Sequence, residues 1–406
     1  MLKDKKVLFL TILFTLTEII NSNITFIIIF GLIIFYILKN NSCIIYKNEL
    51  TKNLFFILLI GIASGIVGCI KYSYEYKDFL RDIYLMFKPI VYVSFGLFLK
   101  NKSYCEKNIF AAIVYSGFFI SIRHIFLLLI NFGSDPRGIG GNESFITLIA
   151  ILILLCYEKK DEIIKIKQIR IFFILFMTIS AILYISRTCL AVAIVFYFVN
   201  FVINIEKTYK KVLKHFFIIV IIIIIGYKII PVDITNKFML ELSRSFIEIS
   251  SNNKEWNFYN INADWRGYEV YRTKIAFKDA SITEKLFGYG DGKLLDLNIN
   301  ITLKDKEYTK IAVLHNGYYY LLLKTGILGV SIYLFIFLKI AFNYLIISKK
   351  NNLFKNKLVS SIAFSNLITT YIITGIYNNS NAVIFCVLLG YFIECKKNEI
   401  ENSKKV

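Results

Sequence analysis

Apolar runs of about membrane-spanning length follow one another along most of this sequence, and a single long polar stretch, residues 231–313, interrupts them. Such a pattern leaves few architectures open. With 57% hydrophobic residues and a mean hydropathy of +0.61, the chain has more apolar surface than one soluble core could bury. Repeated runs of this length also do not fit a set of cleaved or core segments. The first run, residues 7–20, lacks a small-residue exit site and is followed at once by another, so it does not read as a signal peptide. The expectation is an all-α, polytopic membrane bundle of about twelve transmembrane helices. The spans read as residues 7–20, 24–38, 54–70, 83–99, 109–130, 145–157, 171–185, 188–203, 216–230, 327–347, 358–376 and 382–393.

The formal net charge of +20 would suggest nucleic acid in a soluble protein, but its distribution speaks otherwise. If the N-terminus is placed inside, the cytoplasmic segments hold 26 lysines and arginines, and the short outer loops hold five: Lys71, Lys77, Arg81, Arg137 and Arg187. This asymmetry orients the chain with both termini cytoplasmic and residues 233–313 outside, where 12 basic residues face 12 acidic ones. The excess positive charge is a topology signal, and no nucleic-acid partner is expected. Three parts follow: a bundle over residues 1–231, an extracytoplasmic loop over 232–314, and further spans with a cytoplasmic tail over 315–406.

The outer loop far exceeds the roughly 15 residues beyond which structureless connections become uncommon. Within it, residues 237–250 place Phe238, Leu242, Phe246 and Ile249 on one helical face, suited to a helix lying on the membrane surface. Residues 264–280 also read as helix, with Tyr268, Tyr271 and Ile275 aligned, and residues 281–293 (SITEKLFGYGDGK) as a glycine-rich turn. None of the seven cysteines falls between Asp233 and Val313, and no Cys/His spacing offers a zinc site.

Of three histidines, His215 lies at the cytoplasmic edge of a span and His124 inside one. His315 alone faces the outer water, at a helix start beside Asn316. A neutral imidazole there can take a proton from a sugar hydroxyl near neutral pH; a histidine in that place can also simply cap the helix. Arg187 occupies a two-residue turn between apolar runs, Arg137 lies among glycines in GSDPRGIGGN, and Arg266 and Arg272 fall on the loop helix. Guanidinium forks suit phosphate oxygens, although an interfacial arginine often does no more than snorkel. Lys88, Arg123 and His124 are the conspicuous polar residues inside the spans, where ionisable groups suggest function and snorkelling serves equally for Lys88 and Arg123.

These pieces, in this order, resemble the O-antigen polymerase and ligase family of bacterial membrane glycosyltransferases. The likeness rests on Ser186-Arg187-Thr188 opening an apolar run, on an arginine-bearing helix leading to LFGYGDG (residues 286–292), and on HNGYYYLLLKTGILG (residues 315–329). A weaker fourth match starts at Arg137, where the family often has a proline–asparagine pair and this chain has Asn142-Glu143. The resemblance covers residues 137–345. It implies a donor glycan carried on undecaprenyl pyrophosphate, a glycan acceptor, the cytoplasmic membrane as the site of action and, for a polymerase, a chain-length regulator as partner. It further implies that Arg187 and a loop arginine, Arg266 with Arg272 as its rival, hold the pyrophosphate. His315 would act on the acceptor hydroxyl, with Arg137 and Asn316 assisting binding. Inverting transfer without metal or other cofactor is expected. A polymerase and a ligase share this chemistry and differ in acceptor. A flippase for the same lipid-linked sugars is the rival from another class, since twelve spans also suit transporters; against it, no internal repeat of the kind common in transporters is visible.

Overall fold

The computed structural model describes residues 4–20, 22–40, 48–102, 104–131, 144–184, 186–202, 256–303, 306–377 and 382–403. Most of them are helical. Five helices come first: α1 (Lys5–Ile19), α2 (Ser22–Asn40), α3 (Glu49–Tyr72), α4 (Tyr76–Asn101) and α5 (Glu106–Ile130). They are followed by α6 (Phe145–Cys156), the single turn α7 (Lys160–Ile163), α8 (Lys167–Leu183) and α9 (Arg187–Tyr197), which runs on into a π turn at Phe198–Val202. After residue 255 come α10 (Phe258–Ala263), α11 (Trp265–Lys278), α12 (Ile282–Phe287), and an antiparallel hairpin of β1 (Leu295–Leu303) and β2 (Lys306–Ile311). Three helices close the chain: α13 (Gly317–Asn351), α14 (Phe354–Ile372) and α15 (Val383–Ser403).

Side-chain caps set where many of these helices begin. Asp4, Asn48, Ser144 and Ser186 each accept a hydrogen bond from a backbone N–H two or three residues on, which satisfies a first-turn donor that has no partner inside the helix. In the bundle, α13 packs along α14 and α3, α15 along α4, α5 between α1 and α6, and α9 against α14. Apolar side chains fill the interfaces, and others such as Phe35, Ile70, Leu129 and Phe335 stand exposed around the outside, as expected where the solvent is lipid.

The helices correct the expected number of crossings. Four are long and apolar enough to cross a bilayer, α3, α4, α5 and α13, not about twelve. At 1.5 Å per residue, α3 reaches about 36 Å, past the roughly 30 Å of hydrocarbon, whereas α6 reaches only about 18 Å. Shorter apolar stretches lie at Ser22–Leu38, Phe145–Cys156, Arg187–Val202 and Val383–Ile393. Counting apolar residues overstates crossings here because caps at Ser144 and Ser186 and the bend after Cys156 cut apolar runs into short helices. Conversely, α13 starts ten residues ahead of the apolar run at 327–347, and α4 seven ahead of the run at 83–99. The apolar run 216–230 and the loop helix expected at 237–250 lie outside the described residues.

Candidate active site

The described part of the loop is built around α11. Asp264 caps it, accepting from the Gly267 N–H at 2.9 Å. On one side Tyr268, Ile261 and Leu297 form a small core flanked by Trp256 and Trp265, and the Tyr268 hydroxyl donates to the Leu297 carbonyl. Arg272 Nε donates to the Asp296 carbonyl at 3.0 Å. The helix is thus fixed to β1 by one aromatic and one cationic side chain. The hairpin itself replaces an expectation of helices and turn only.

On its other side α11 presents Glu269, 1% exposed. Its Oε2 accepts the backbone N–H of His315 at 2.8 Å, and its Oε1 lies 2.8 Å from the His315 Nδ1. A carboxylate can only accept, so Nδ1 carries the hydrogen and Nε2 keeps a lone pair. The His315 side chain is 49% exposed, so the ring is aimed by a buried partner while part of it remains open. This is the arrangement by which a carboxylate orients a general base.

The backbone around His315 is held as firmly. The Leu314 carbonyl accepts from Thr374 Oγ1 at 3.2 Å. Asn316 is buried, and its Oδ1 accepts from the N–H groups of Tyr318 and Tyr319 at 3.0 and 3.4 Å, which makes it the N-cap of α13. Gly317 lies so close to α14 that an added Cβ would stand 2.8 Å from Thr370 Cγ2.

Arg266 and Arg272 sit one helical turn before and after Glu269, on neighbouring positions of the same face. Arg187 is the first residue of α9, half-buried, at the end of a helix that leans on α14. Arg137 lies outside the described residues. His315, Glu269 and the two loop arginines therefore share one helix face and its partner loop, while Arg187 belongs to the bundle alongside.

A second cluster lies where the glycine-rich turn enters the bundle. Tyr289 N–H donates to the Leu323 carbonyl at 2.9 Å, Gly290 N–H to Lys324 at 3.1 Å, and Asp291 N–H to Gly61 at 2.9 Å. Irregular backbone is thereby satisfied by helices on both sides, the condition for burying it at membrane depth. The fit depends on absent side chains: a Cβ at Gly65 would stand 2.7 Å from the Asp291 carbonyl oxygen. Gly326 breaks α13 with φ +65°, and a Cβ there would meet the Gly288 nitrogen at 2.4 Å. Beside the turn, Lys324 and Asp82 are fully buried, with Nζ 2.5 Å from Oδ2. Asp82 Oδ2 also accepts from the Gly292 N–H at 2.8 Å, and Lys324 Nζ also donates to the Lys293 carbonyl.

At the rim, Ser281 and Glu284 form a capping box at the start of α12. Burial raises the Glu284 carboxyl, but hydrogen bonds from Lys71, Tyr72 and Ser281 outweigh it and hold the group at about 2. Two polar residues singled out within the apolar runs have protein partners: His124 Nδ1 lies 2.9 Å from Ser180 Oγ with its ring stacked on Tyr184, and Lys88 Nζ reaches Ser22 and Asn23 and lies over the Tyr84 ring.

Four residues in these clusters were not evident from sequence: Glu269, Asp82, Asp291 and Lys324. Lys324 alone carried a signal, as a lysine inside an otherwise apolar run. Comparison with protein-family models and with curated proteins gives no match to this chain.

Proposed function

We propose that this chain is a membrane glycosyltransferase that joins undecaprenyl-pyrophosphate-linked oligosaccharide units into a polysaccharide at the outer face of the bacterial cytoplasmic membrane. What carries the reading is the Glu269–His315 pair: a buried carboxylate orients a half-exposed imidazole at the edge of an apolar bundle. An imidazole so placed can accept the acceptor hydroxyl's proton as its oxygen attacks the anomeric carbon, with inversion and without metal. Arg187 and Arg266, or Arg272 in its stead, would neutralise the pyrophosphate as it leaves. Arg137 and Asn316 are assigned supporting places in substrate binding, Asn316 through the start of α13 that it caps. The basic residues orient the chain with both termini inside and the loop outside. A chain-length regulator is a natural partner.

The same residues would serve a ligase whose acceptor is lipid A core or protein. A flippase for lipid-linked sugars needs no oriented base. The experiment is to replace His315 by Ala and by Gln in purified, membrane-reconstituted protein, and to measure binding and turnover of a lipid-linked oligosaccharide separately. Turnover falling by about 10²- to 10⁴-fold with donor binding retained supports the reading, and product length distinguishes polymer from single transfer. Unchanged turnover in both variants, or translocation of the lipid without transfer, rejects it.

A further inference from the structure

We propose that Asp291 is a proton-binding site: its carboxyl holds one exchangeable proton while the turn at residues 288–292 is seated against α3, and the seating weakens when that proton leaves. The inference stands apart from the glycosyl-transfer reading and rests on the charges packed around the turn.

From α4 come Asp78, Arg81 and Asp82. Arg81 bridges the two acids, with NH1 2.5 Å from Asp78 Oδ1 and Nε 3.4 Å from Asp82 Oδ1. From α13 comes Lys324, whose ammonium is taken up by Asp82 and by the Lys293 carbonyl, and Tyr320, a neutral phenol. The turn supplies Tyr289 and Lys293, and the Lys293 ammonium lies over the rings of Tyr72 and Tyr289. The face of α3 supplies no titratable group at the contact, only Gly61, Ser64 and Gly65. Two acids and two bases on α4 and α13 therefore cancel before Asp291 is counted.

Asp291 is fully buried, and neither Oδ1 nor Oδ2 has a hydrogen-bond partner. Ionised, it would leave an uncompensated negative charge without a donor, which a protein interior disfavours strongly. Burial moves its carboxyl up from 3.8 to about 8, with Lys324 opposing and Asp82 adding to the shift. A proton fits this place better than a metal cation. Gly61 closes on the carboxyl so tightly that a Cβ there would stand 2.9 and 3.0 Å from its two oxygens, leaving no room for a coordination shell. Among the described residues no group of three or more His, Cys, Asp or Glu could hold a metal ion.

The folded state then binds this proton more tightly than the unfolded chain. Stability attributable to Asp291 is complete below pH 3.8, declines as pH rises through the interval to about 8, and is level above it. Because the turn joins α12 to β1 and hydrogen-bonds to α13 just before its break at Gly326, proton occupancy bears on how the loop meets the bundle.

The test uses full-length protein in nanodiscs. Asp291→Asn, a neutral isostere of the acid, should remove a protonated-carboxyl C=O band from the infrared spectrum recorded at about pH 6. It should also flatten the decline of Tm between about pH 5 and pH 9, leaving the variant the more stable at the alkaline end. In the wild type alone, the same band should give way to carboxylate bands as pH is raised to about 10, a measurement that decides the matter even if the variant does not accumulate. Absence of the band, its titration near pH 4, or parallel Tm profiles for the two proteins overturns the proposal. A Tm that rises with added sodium at fixed pH, and does so only in the wild type, overturns it in favour of a metal cation.

Discussion

Glu269 holds His315 twice, through the backbone N–H and through ring Nδ1, each at 2.8 Å, across 46 residues of sequence. One carboxylate therefore sets both where the histidine sits and which ring nitrogen faces outward.

Glu269→Gln keeps a polar group of the same size but loses the charge that favours a hydrogen on Nδ1. Turnover of the reconstituted protein should fall by about 10²-fold or more with donor binding unchanged, and Glu269→Asp should recover part of it. A parallel loss of donor binding and turnover would reduce Glu269 to a structural tie.

Lys324 and Asp82 form a pair with no exposed surface. Removing one partner leaves a buried charge alone, so Lys324→Met or Asp82→Asn should each cost about 3–5 kcal/mol of stability, while Lys324→Met with Asp82→Leu should recover much of the loss. Denaturant unfolding in micelles measures all three. Additive losses in the double variant would contradict the pairing.

The turn needs hydrogen atoms where side chains would otherwise stand. Gly326→Ala adds left-handed strain of about 1–2 kcal/mol and a clash with the Gly288 backbone. Gly65→Ala drives a methyl into the Asp291 carbonyl and the Phe79 ring. Both variants should accumulate poorly or unfold at lower temperature. Gly31→Ala, with nothing within 4 Å of the new carbon, should behave as the wild type in the same melting assay.

Arg187→Ala and Arg266→Ala should each abolish transfer if they hold pyrophosphate, and the corresponding lysine variants should recover little, because an ammonium does not reproduce a bidentate fork. Arg272→Ala is expected to act through stability, since it loses the bond to Asp296. Activity assays on the first two beside a melting curve on the third discriminate these roles. Full activity of Arg187→Ala would leave Arg187 as a topology residue.

Local features were readable from sequence where the chain's own neighbours determine them. The helix expected at 264–280 is α11, the glycine-rich segment is a turn, and His315 stands directly before a helix with Asn316 as its cap. Pairing across distance was not readable. Glu269 looks like any polar helix residue until the fold brings α11 to the start of α13, and Asp82 lies 242 positions from Lys324. The hairpin did leave a trace in the alternation of Leu295, Leu297, Ile299, Ile301 and Leu303. The number of crossings was overstated because apolar content says nothing of where caps end a helix.

The distance in sequence between Asp82 and Lys324 also bears on biogenesis. As the chain is synthesised, α4 leaves the ribosome long before α13, and each carries into the apolar phase a charge that lipid alone accommodates poorly. Arg81 can shield Asp82 during the wait, but Lys324 has no such neighbour on its own helix. Final seating of α13 is therefore tied to the earlier presence of α4, which makes this late helix a checkpoint at which a chain with a damaged first half fails to complete its insertion.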